Sequence, residues 1–388
     1  MTHNFSLGIT RATDLTRAGK LQEATALIQS LLQPTQPTAD AIPHVAVGDG
    51  DVIEGSCERL DDPKPTPRPQ PEAKPTRKGL AETLRSIAAG GMPAGARRVP
   101  QAVDLPAGAQ FLTLTHAGAQ DRRDYRLYVP AQKAAGPMPL IVMLHGCTQS
   151  PEDFAVGTGM NVLAEKFGCV VAWPAQPQGA NAQKCWNWFR PEDQGRDRGE
   201  PALFAGIVRD VLRAYPADPG RVYVAGLSAG GAAAAIMAAA YPDIFAAVGV
   251  HSGLPVGAAR DVPQAFAAMR TGAAGQGTAL AVPTIVFHGL ADTTVHPRNG
   301  AAVVAQALQG RTGLKQTRSA ADSASGRGCR IIRHTDAKGR SVVEHWQIEG
   351  AGHAWAGGAQ AGSYTDPKGP DASGEMLRFF LQHQKNRS

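Results

Sequence analysis

The sequence predicts an α/β fold from residue 109 onward, with a largely parallel sheet covered by helices on both faces. Short runs rich in β-branched and aromatic residues recur there, and several end in Gly or Pro, as strands often do. Helix-length segments separate most of the later runs, which is typical of parallel strands joined by crossover helices. One of these runs passes through a glycine turn straight into an Ala-rich helical segment, which fits the same architecture.

The predicted strands follow one another along a single segment, residues 109–388, which we interpret as one catalytic domain. In chain order they are FLTLT, DYRLYVP, PLIVMLHG, CVVAWP, RVYVAGLS, AAVGVHSG, TIVFHGLAD and VEHWQIEG. An α/β unit of roughly 250 residues accounts for this length.

The first hundred residues have a different organisation. Residues 1–33 predict a short helical hairpin, because apolar residues recur there at helical spacing and Gly19 interrupts them. Residues 34–77 are rich in proline, which favours extended conformations, so we expect a flexible linker. Residues 78–108 predict an amphipathic helix and a connector. These helices are expected to dock on the catalytic domain or to bind a granule or a partner protein.

Composition excludes several functional classes. The chain is 43% hydrophobic and 19% charged, and it has no run of about 18 apolar residues that would predict a membrane span. The net charge of +6 is scattered without basic runs, so we expect no nucleic-acid partner. The first twenty residues show no secretory signal pattern, which favours a cytoplasmic location. Five cysteines form no motif with zinc spacing, so no metal site is predicted.

Ser228 is the predicted nucleophile. The strand RVYVAG leads into Gly226-Leu227-Ser228-Ala229-Gly230, and the helix-forming run AAAAIMAAAYP follows at once. A strand, a G-x-S-x-G sequence and a helix in this order form the sharp turn that exposes a catalytic serine. The glycines are needed because side chains beside the strained serine would collide. A plain Gly/Ser turn at the start of a helix is the alternative interpretation.

A serine hydroxyl is a weak nucleophile, so a histidine must take its proton and a carboxylate must orient that histidine. Asp292 follows the buried run PTIVFHG, which places it at the reacting edge of the sheet, although Asp is also common in turns. His353 lies in GAGHAWAGG after the last predicted strand. His288 and His296 are rival bases close to Asp292. The predicted triad is Ser228, Asp292 and His353.

Acyl transfer also needs backbone N–H groups that stabilise the oxyanion. They normally come from the residue after the nucleophile and from the loop after the third strand, which here are Ala229 and Cys147. His145 starts that loop. It is interpreted as a buttress for the loop, with a role as catalytic base as the alternative.

Three tryptophans close to these motifs are candidate substrate contacts. Trp186 and Trp188 lie in CWNWF, and Trp355 follows His353 by two residues. Aromatic side chains on active-site loops supply flat apolar walls for a substrate, but core packing explains them equally well.

Seven motifs, taken together, carry a resemblance to a known family. They are HGCTQ (145–149), GTGMN (157–161), CWNWF (185–189), RGEP (198–201), RVYVAGLSAGG (221–231), FHGLADTTVHPRN (287–299) and GAGHAW (350–355). In this order they resemble the esterase family of poly(3-hydroxybutyrate) depolymerases over residues 109 to 385. The AGKLQEATALIQ segment also resembles the N-terminal segment of some members.

The resemblance implies an α/β-hydrolase fold, no cofactor, and hydrolysis of short-chain hydroxyalkanoate polyesters or related esters, including feruloyl and acetyl esters. Ser228, Asp292 and His353 fall on the family's catalytic positions. Many polymer-degrading members are secreted, so an extracellular location is the alternative to the cytoplasm. Those members carry an additional module C-terminal to the catalytic domain, whereas the additional sequence here is N-terminal.

The expected reaction is two-step acyl transfer, in which a small-molecule or polymeric ester acylates Ser228 and water then releases the acyl group. Two other functions remain open. A serine peptidase can use the same fold and triad order, and a noncatalytic scaffold that binds partners through the N-terminal helices is the alternative from another class.

Cys147 and Cys185 belong to two motifs that we expect at the border of the active site. A disulfide between them would clamp the loop that starts at His145 after the third strand, which we call the oxyanion loop. A reducing compartment and the odd number of cysteines favour free thiols instead. A Cα separation above about 7 Å would exclude the bridge.

Overall fold

The computed structural model describes residues 105–118, 122–131, 136–273, 278–322 and 326–385. The predicted hairpin at 1–33, the linker at 34–77 and the predicted helix within 78–104 lie outside these residues. Of the predicted connector, the segment 105–108 is described and contains a turn that precedes the first strand.

Strands and helices alternate through the described residues, as the sequence predicts. The strands are β1 (Gln110–Ala117), β2 (Arg122–Val129), β3 (Met138–Leu144), β4 (Val170–Pro174), β5 (Ala217–Leu227), β6 (Ala247–His251), β7 (Thr284–Gly289), β8 (Lys315–Asp322), β9 (Gly328–Thr335), β10 (Ser341–Ile348), β11 (Trp355–Ala356) and β12 (Thr365–Asp366). The helices are α1 (Pro151–Thr158), α2 (Met160–Phe167), α3 (Gly199–Ala214), α4 (Ala229–Ala240), α5 (Val262–Thr271), α6 (Arg298–Leu308) and α7 (Ala372–Phe380), with a 3₁₀ turn at Pro191–Asp193.

The first ten strands form one sheet in the order β1-β2-β4-β3-β5-β6-β7-β10-β9-β8. Its centre, from β4 to β10, is parallel throughout. The strands beyond it on both sides pair antiparallel. The prediction of a largely parallel sheet is therefore confirmed.

Central strands are buried on both faces, which explains why they read as continuous apolar runs. In β3, Leu140, Val142 and Leu144 face one hydrophobic cluster. Ile141 and Met143 face the other, because successive side chains of a strand point to opposite sides. Helices α3, α4 and α6 contribute to the first cluster, and α1, α2 and α7 contribute to the second. Helices therefore cover both faces of the sheet, as predicted.

Helix α4 is buried along almost its whole length, from Ala229 to Ala238. Its small side chains let the helix axis approach the sheet closely, and alanine has the highest helix propensity. This burial places the first turn of α4 against the ends of β3 and β5.

Strands β8 and β9 are absent from the strands predicted above. They form one end of the sheet, where β8 is exposed to solvent and rich in polar residues, as in KQTRSAAD. Such an edge strand lacks the apolar run that marks a buried strand, and its charged side chains discourage pairing with other chains.

The carboxyl ends of the parallel strands meet at one edge of the sheet, where open α/β sheets bind their ligands. Ser228 follows β5, Asp292 lies three residues beyond β7, and His353 lies five residues beyond β10. Among the described residues, no helix has the length and hydrophobicity needed to cross a membrane.

Candidate active site

Ser228 lies in a strained turn between β5 and α4. Its backbone has φ 58° and ψ −119°, a conformation that residues with a side chain rarely adopt. A Cβ on Gly226 would overlap the backbone of Gly230, and a Cβ on Gly230 would overlap the carbonyl oxygen of Leu144. Glycine is therefore required at both positions, and the structure contains the sharp turn that the G-x-S-x-G motif predicts.

The turn is held by its neighbours in the sheet. The backbone N–H of Ser228 donates to the carbonyl of His251, the last residue of β6, over 2.9 Å. On the other side, Gly146 lies so close that its Cβ position would be 3.7 Å from the Cβ of Ser228. The serine thus lies between the end of β6 and the loop that follows β3.

Asp292 is held in a turn that fixes one carboxylate oxygen and leaves the other for a histidine. Oδ1 accepts hydrogen bonds from the backbone N–H groups of Thr294 (2.9 Å) and Val295 (2.8 Å). Oδ2 lies 2.8 Å from Nδ1 of His353. The carboxylate is fully buried. Its backbone and hydrogen bonds therefore orient it toward the imidazole.

Two influences on the pKa of Asp292 oppose each other. Burial raises it, whereas the hydrogen bond from His353, the electrostatic effect of that imidazole and the amide of Val295 lower it. The second group is stronger, and the pKa lies below its usual value. The carboxylate therefore stays ionised and keeps the proton of His353 on Nδ1, as a catalytic triad requires.

The loops that carry Asp292 and His353 are joined by backbone hydrogen bonds. Leu290 N–H donates to Ile348 O over 2.8 Å, and Ala291 N–H donates to Ala351 O over 2.9 Å. His353 itself is about one-eighth exposed. Because its Nδ1 faces Asp292, its Nε2 is the nitrogen available for proton transfer.

Both rival histidines have hydrogen-bond partners other than Asp292, although Nε2 of His288 lies 3.5 Å from Oδ2 of Asp292. His288 is buried in β7, and its Nε2 donates to the carbonyl of Val295 over 2.8 Å. Burial lowers the pKa of His288, so it supports the turn of Asp292 as a neutral ring. His296 accepts a hydrogen bond from the N–H of Arg298, within its own turn.

The loop after β3 contains one amide that is suited to stabilise an oxyanion. Gly146 N–H donates to the side chain of Gln149 over 2.9 Å, and Thr148 N–H donates to Gln183 O over 2.7 Å. Within the described part of the chain, the N–H groups of Cys147 and Ala229 have no protein acceptor. This arrangement supports the oxyanion assignment of Cys147 and Ala229, which remains a proposal.

His145 supports this loop from below. Its Nε2 accepts a hydrogen bond from Gln176 N–H (3.2 Å), so Nδ1 carries the proton and donates to Gly146 O (2.7 Å). Burial lowers the pKa of His145 to about 4 and keeps the ring neutral. The fully buried ring is inaccessible to substrate, as the buttress interpretation predicts.

Cys147 and Cys185 form a disulfide with a Cα separation of 4.2 Å. The bridge fastens the oxyanion loop to CWNWF. The sequence left this bridge open, with the odd number of cysteines as an argument against it, and the structure joins these two cysteines.

The predicted substrate contacts of the tryptophans need correction. Trp186 is fully buried, and its Nε1 donates to His145 O over 2.9 Å. Trp355 is also buried, stacked on His251, with Nε1 donating to Ser373 Oγ over 3.0 Å. Trp188 is only 6% exposed and packs edge-to-face on Phe189. The three rings support the loops from within the core and offer no flat wall to a substrate.

Sequence reasoning missed the polar residues that hold the oxyanion loop. Gln149 fixes the Gly146 amide, and Gln176 contacts His145 and the carbonyl of Cys185. Glu200 is buried in the first turn of α3. The signal was present, because Gln149 lies in HGCTQ and Glu200 in RGEP, two polar residues inside motifs that carry the resemblance.

A groove of about 390 Å³ opens beside the oxyanion loop, over the ends of β2 and β4. Its lining combines polar side chains with apolar surface, and the apolar surface is the larger part. The lining residues are Thr113, Asp124, Tyr125, Arg126, Gln149, Ser150, Pro151, Glu152, Ala175, Gln176, Pro177, Gln178 and Lys184.

Comparison with known proteins decides the family. A family model described as esterase PHB depolymerase matches residues 123–331, more than half of the chain. The chain belongs to this esterase family. The match includes Ser228 and Asp292 and ends before His353. The family prediction from the seven motifs is thus confirmed.

Relatives of several kinds share this region. Poly(3-hydroxyalkanoate) depolymerase C of Paucimonas lemoignei is 34% identical over 58% of this chain and 57% of its own. Feruloyl esterase B of Neurospora crassa is 32% identical over 44% of this chain and 64% of its own. The aligned region therefore spans between half and two thirds of these relatives.

An acetyl xylan esterase from Aspergillus awamori has a similar structure, with a TM-score of 0.52 at 19% identity. The similarity covers 67% of this chain and 94% of that one. It shows the fold, which is that of the α/β-hydrolases.

Proposed function

We propose that this chain is a serine-dependent carboxylic ester hydrolase that acts on short-chain hydroxyalkanoate polyesters or their oligomers. One observation carries the proposal. A serine in a strained strand-to-helix turn lies at the same sheet edge as a buried carboxylate that is hydrogen-bonded to a partly exposed histidine. This combination is typical of acyl transfer through a covalent intermediate.

In the first step, Nε2 of His353 takes the proton of Ser228 while Oγ attacks the ester carbonyl. The amides of Cys147 and Ala229 donate to the oxygen that becomes negatively charged. The histidine then protonates the leaving alcohol, and the acyl group stays on Ser228. Asp292 stabilises the positive charge that His353 carries in between.

In the second step, His353 takes a proton from water, which attacks the acyl-enzyme. The tetrahedral intermediate uses the same two amides, and Ser228 is restored when the carboxylic acid leaves. Both steps depend on one base and one oxyanion site.

The groove beside the oxyanion loop supports a chain-shaped substrate. It lies at the same sheet edge as Ser228, and Gln178 and Lys184 place hydrogen-bond donors along it. The carbonyl oxygens that recur along a polyester are acceptors at regular spacing. We infer that repeat units next to the cleaved ester occupy this groove.

Feruloyl and acetyl esters of polysaccharides are the second candidate substrates. The similarity to feruloyl esterase B favours them, and the groove has polar side chains among its lining residues that are able to bind sugar hydroxyls. Rates on hydroxybutyrate oligomers, feruloyl esters and acetylated xylan would separate the two substrate classes.

The disulfide between Cys147 and Cys185 bears on location. Disulfides persist mainly in oxidising compartments and are rare in the cytosol. We therefore favour the extracellular alternative over the cytoplasm.

A fluorophosphonate probe with the variant Ser228→Ala tests the catalytic proposal directly. The probe should label the wild-type protein, and Ser228→Ala should lose labelling together with at least roughly 10³-fold in kcat on a soluble ester. Ser252→Ala is the matched control, because Ser252 is another buried serine with positive φ, at the end of β6. It should keep labelling and most of the activity.

Two results would contradict the proposal. Near-normal turnover by folded Ser228→Ala would exclude Ser228 as the nucleophile. A wild-type protein that is not labelled by the probe and hydrolyses no ester would favour a noncatalytic scaffold. A higher kcat/KM on a matched amide than on the ester would instead favour a peptidase.

A further inference from the structure

Glu200 is a buried carboxylate for which the mechanism above has no role. It lies in the first turn of α3 and is 5% exposed. Its Oε2 accepts from Asn187 N–H over 2.8 Å, and its Oε1 accepts from Asn187 Nδ2 over 2.9 Å and from the side-chain amide of Gln176. These partners are all donors, so they match an ionised carboxylate.

Two connections lead from Glu200 to the amide of Cys147. The side chain of Gln176 donates to Cys185 O over 2.9 Å as well as to Glu200, and Cys185 is bridged to Cys147. The backbone N–H of Gln176 donates to His145, whose ring in turn holds the carbonyl of Gly146. Gln176 therefore joins Glu200 to the oxyanion loop from two sides.

Few charges face Glu200 from the surrounding elements. Asp193 of the 3₁₀ turn accepts from Glu200 N–H over 2.8 Å, and Arg123 of β2 donates to Gln176 Oε1. His145 is neutral. Burial raises the pKa of Glu200 to about 7, the negative charge of Asp193 adds to that effect, and the hydrogen bonds and Arg123 oppose it.

Protonation of Glu200 would disturb this arrangement. A neutral carboxyl carries a hydrogen on one oxygen, and that oxygen faces donors from Asn187 or Gln176. At least one of these hydrogen bonds must then lengthen or break, and the loops that they hold become free to shift.

We propose that the Glu200 carboxylate is a positioning residue for the oxyanion site, and that its negative charge holds the Cys147 amide in place through Gln176 and Asn187. The inference rests on the proposed function. It concerns only the amides proposed to bind the oxyanion, so loss of the charge leaves Ser228, Asp292 and His353 unchanged.

Glu200→Gln tests the proposal, because it removes the charge and keeps the shape. Removal of a whole oxyanion donor costs roughly 10²–10³ in kcat, so a displaced donor should cost about tenfold. We expect kcat on a soluble ester to fall by about tenfold above pH 8 with KM within about twofold. A boronic acid that forms a tetrahedral adduct with Ser228 should lose about the same factor in affinity.

The pH dependence separates positioning from a purely structural role. The ratio of wild-type to Glu200→Gln kcat should be largest above pH 8 and approach one below about pH 6, where wild-type Glu200 is protonated too. Any pH effect on Ser228, Asp292 and His353 is common to both proteins and cancels in this ratio. A loss that is the same at every pH, or no loss in kcat, would overturn the proposal.

Asp193→Asn is the matched control, since Asp193 is the neighbouring buried carboxylate and contacts Glu200 only through a backbone amide. Its kcat above pH 8 should stay within about twofold of wild type. Should Glu200→Gln fail to fold, Gln176→Leu tests the same connection, with the same loss in kcat expected. Activity in Ser228→Ala would instead overturn the proposed function, so the two failures are distinguishable.

Discussion

The candidate site has two buried carboxylates, Asp292 beside His353 and Glu200 behind the oxyanion loop, and their pKa values are shifted in opposite directions. Asp292 faces His353, and its pKa is lowered despite burial. Glu200 mainly faces the neutral amides of Asn187 and Gln176, and burial raises its pKa to about 7. Around Asp292 the hydrogen bonds and the nearby imidazole outweigh the desolvation of the charge, whereas around Glu200 the neutral amides do not.

This difference divides the proposed site into an acid–base half, formed by Ser228, Asp292 and His353, and an oxyanion half, formed by Cys147, Ala229 and the residues that hold the loop of Cys147. In the acid–base half, Asp292 remains ionised across the working pH range and fixes His353. In the oxyanion half, a disulfide, a neutral histidine and Glu200 together hold one loop. The acid–base half therefore depends on the contact between Asp292 and His353. The oxyanion half depends on loops that a disulfide and hydrogen bonds join.

Asp292→Asn should have the largest effect, because it breaks the acid–base half. The amide nitrogen would face Nδ1 of His353, so the ring would move its proton to Nε2 and could not take the proton of Ser228. We expect kcat on a soluble ester to fall roughly 10³–10⁴-fold, measured by steady-state kinetics.

Asp218→Asn is the matched control for this variant. Asp218 is also a buried aspartate that accepts a backbone hydrogen bond, but it lies at the opposite end of β5 from Ser228. Its kcat should remain close to wild type. A mild effect of Asp292→Asn, similar to that of the control, would exclude Asp292 as the orienting acid.

Removal of the disulfide tests the oxyanion half. The cysteines are 38 residues apart, and the chain-entropy model gives a stabilisation of about 4 kcal/mol for a loop of that size. The double variant Cys147→Ser/Cys185→Ser should lose stability of that order in urea unfolding and lose kcat more than KM. Cys169→Ser, at an unpaired buried cysteine, is the control for a change from thiol to hydroxyl. Unchanged kcat in the folded double variant would show that the bridge does not position the loop.

Asp292 and Glu200 should make the free energy of unfolding depend on pH in opposite directions. Asp292 has a lowered pKa, so its contribution is present above its unfolded pKa and is lost as pH falls through the folded value. Glu200 has a pKa raised from 4.5 to about 7, so its contribution is present below pH 4.5 and is lost as pH rises to about 7. Over this pH range, the titration of Glu200 lowers the free energy of unfolding by about 3 kcal/mol.

Glu200→Gln should therefore gain stability relative to wild type between pH 4.5 and pH 8, by up to about 3 kcal/mol. Urea unfolding of both proteins at several pH values measures this gain, and the constant effect of the substitution cancels in the difference. A difference that does not change with pH would mean that Glu200 does not titrate in this range.

The sequence predicted the positions of Ser228, Asp292 and His353, whose catalytic roles remain a proposal, better than the contacts that hold the oxyanion loop. Ser228 stands out because the predicted turn needs glycines at fixed positions between a strand and a helix. Asp292 and His353 follow strands whose apolar runs are legible. Glu200 and Gln176 make contacts between segments that are distant in the sequence. The RGEP motif contains Glu200, but no local pattern shows which segments its carboxylate contacts.

The prediction that the tryptophans contact substrate was wrong for a similar reason. Proximity to His353 or Cys185 in the sequence placed Trp355 and Trp186 near the site, but it did not show which way the rings point. The structure turns both inward, where their N–H groups find buried acceptors. The parallel centre of the sheet was predictable from its continuous apolar runs, whereas the polar edge strands β8 and β9 were not.

A chain that starts at Val103 should show the smallest effect. Both halves of the site, from His145 to His353, lie within the residues from 105 onward, and none of the contacts described above requires an earlier residue. We therefore expect kcat and KM on soluble short-chain esters to stay within about twofold of the full chain, while any binding to polymer granules or partner proteins through the first hundred residues is lost. Kinetics, circular dichroism and granule co-sedimentation of both chains make the comparison. A shortened chain that is folded but has lost most soluble-ester activity would mean that residues before 103 help to build one half of the site. A loss in kcat and in affinity for the boronic acid, with KM nearly unchanged, would then assign that effect to the oxyanion half.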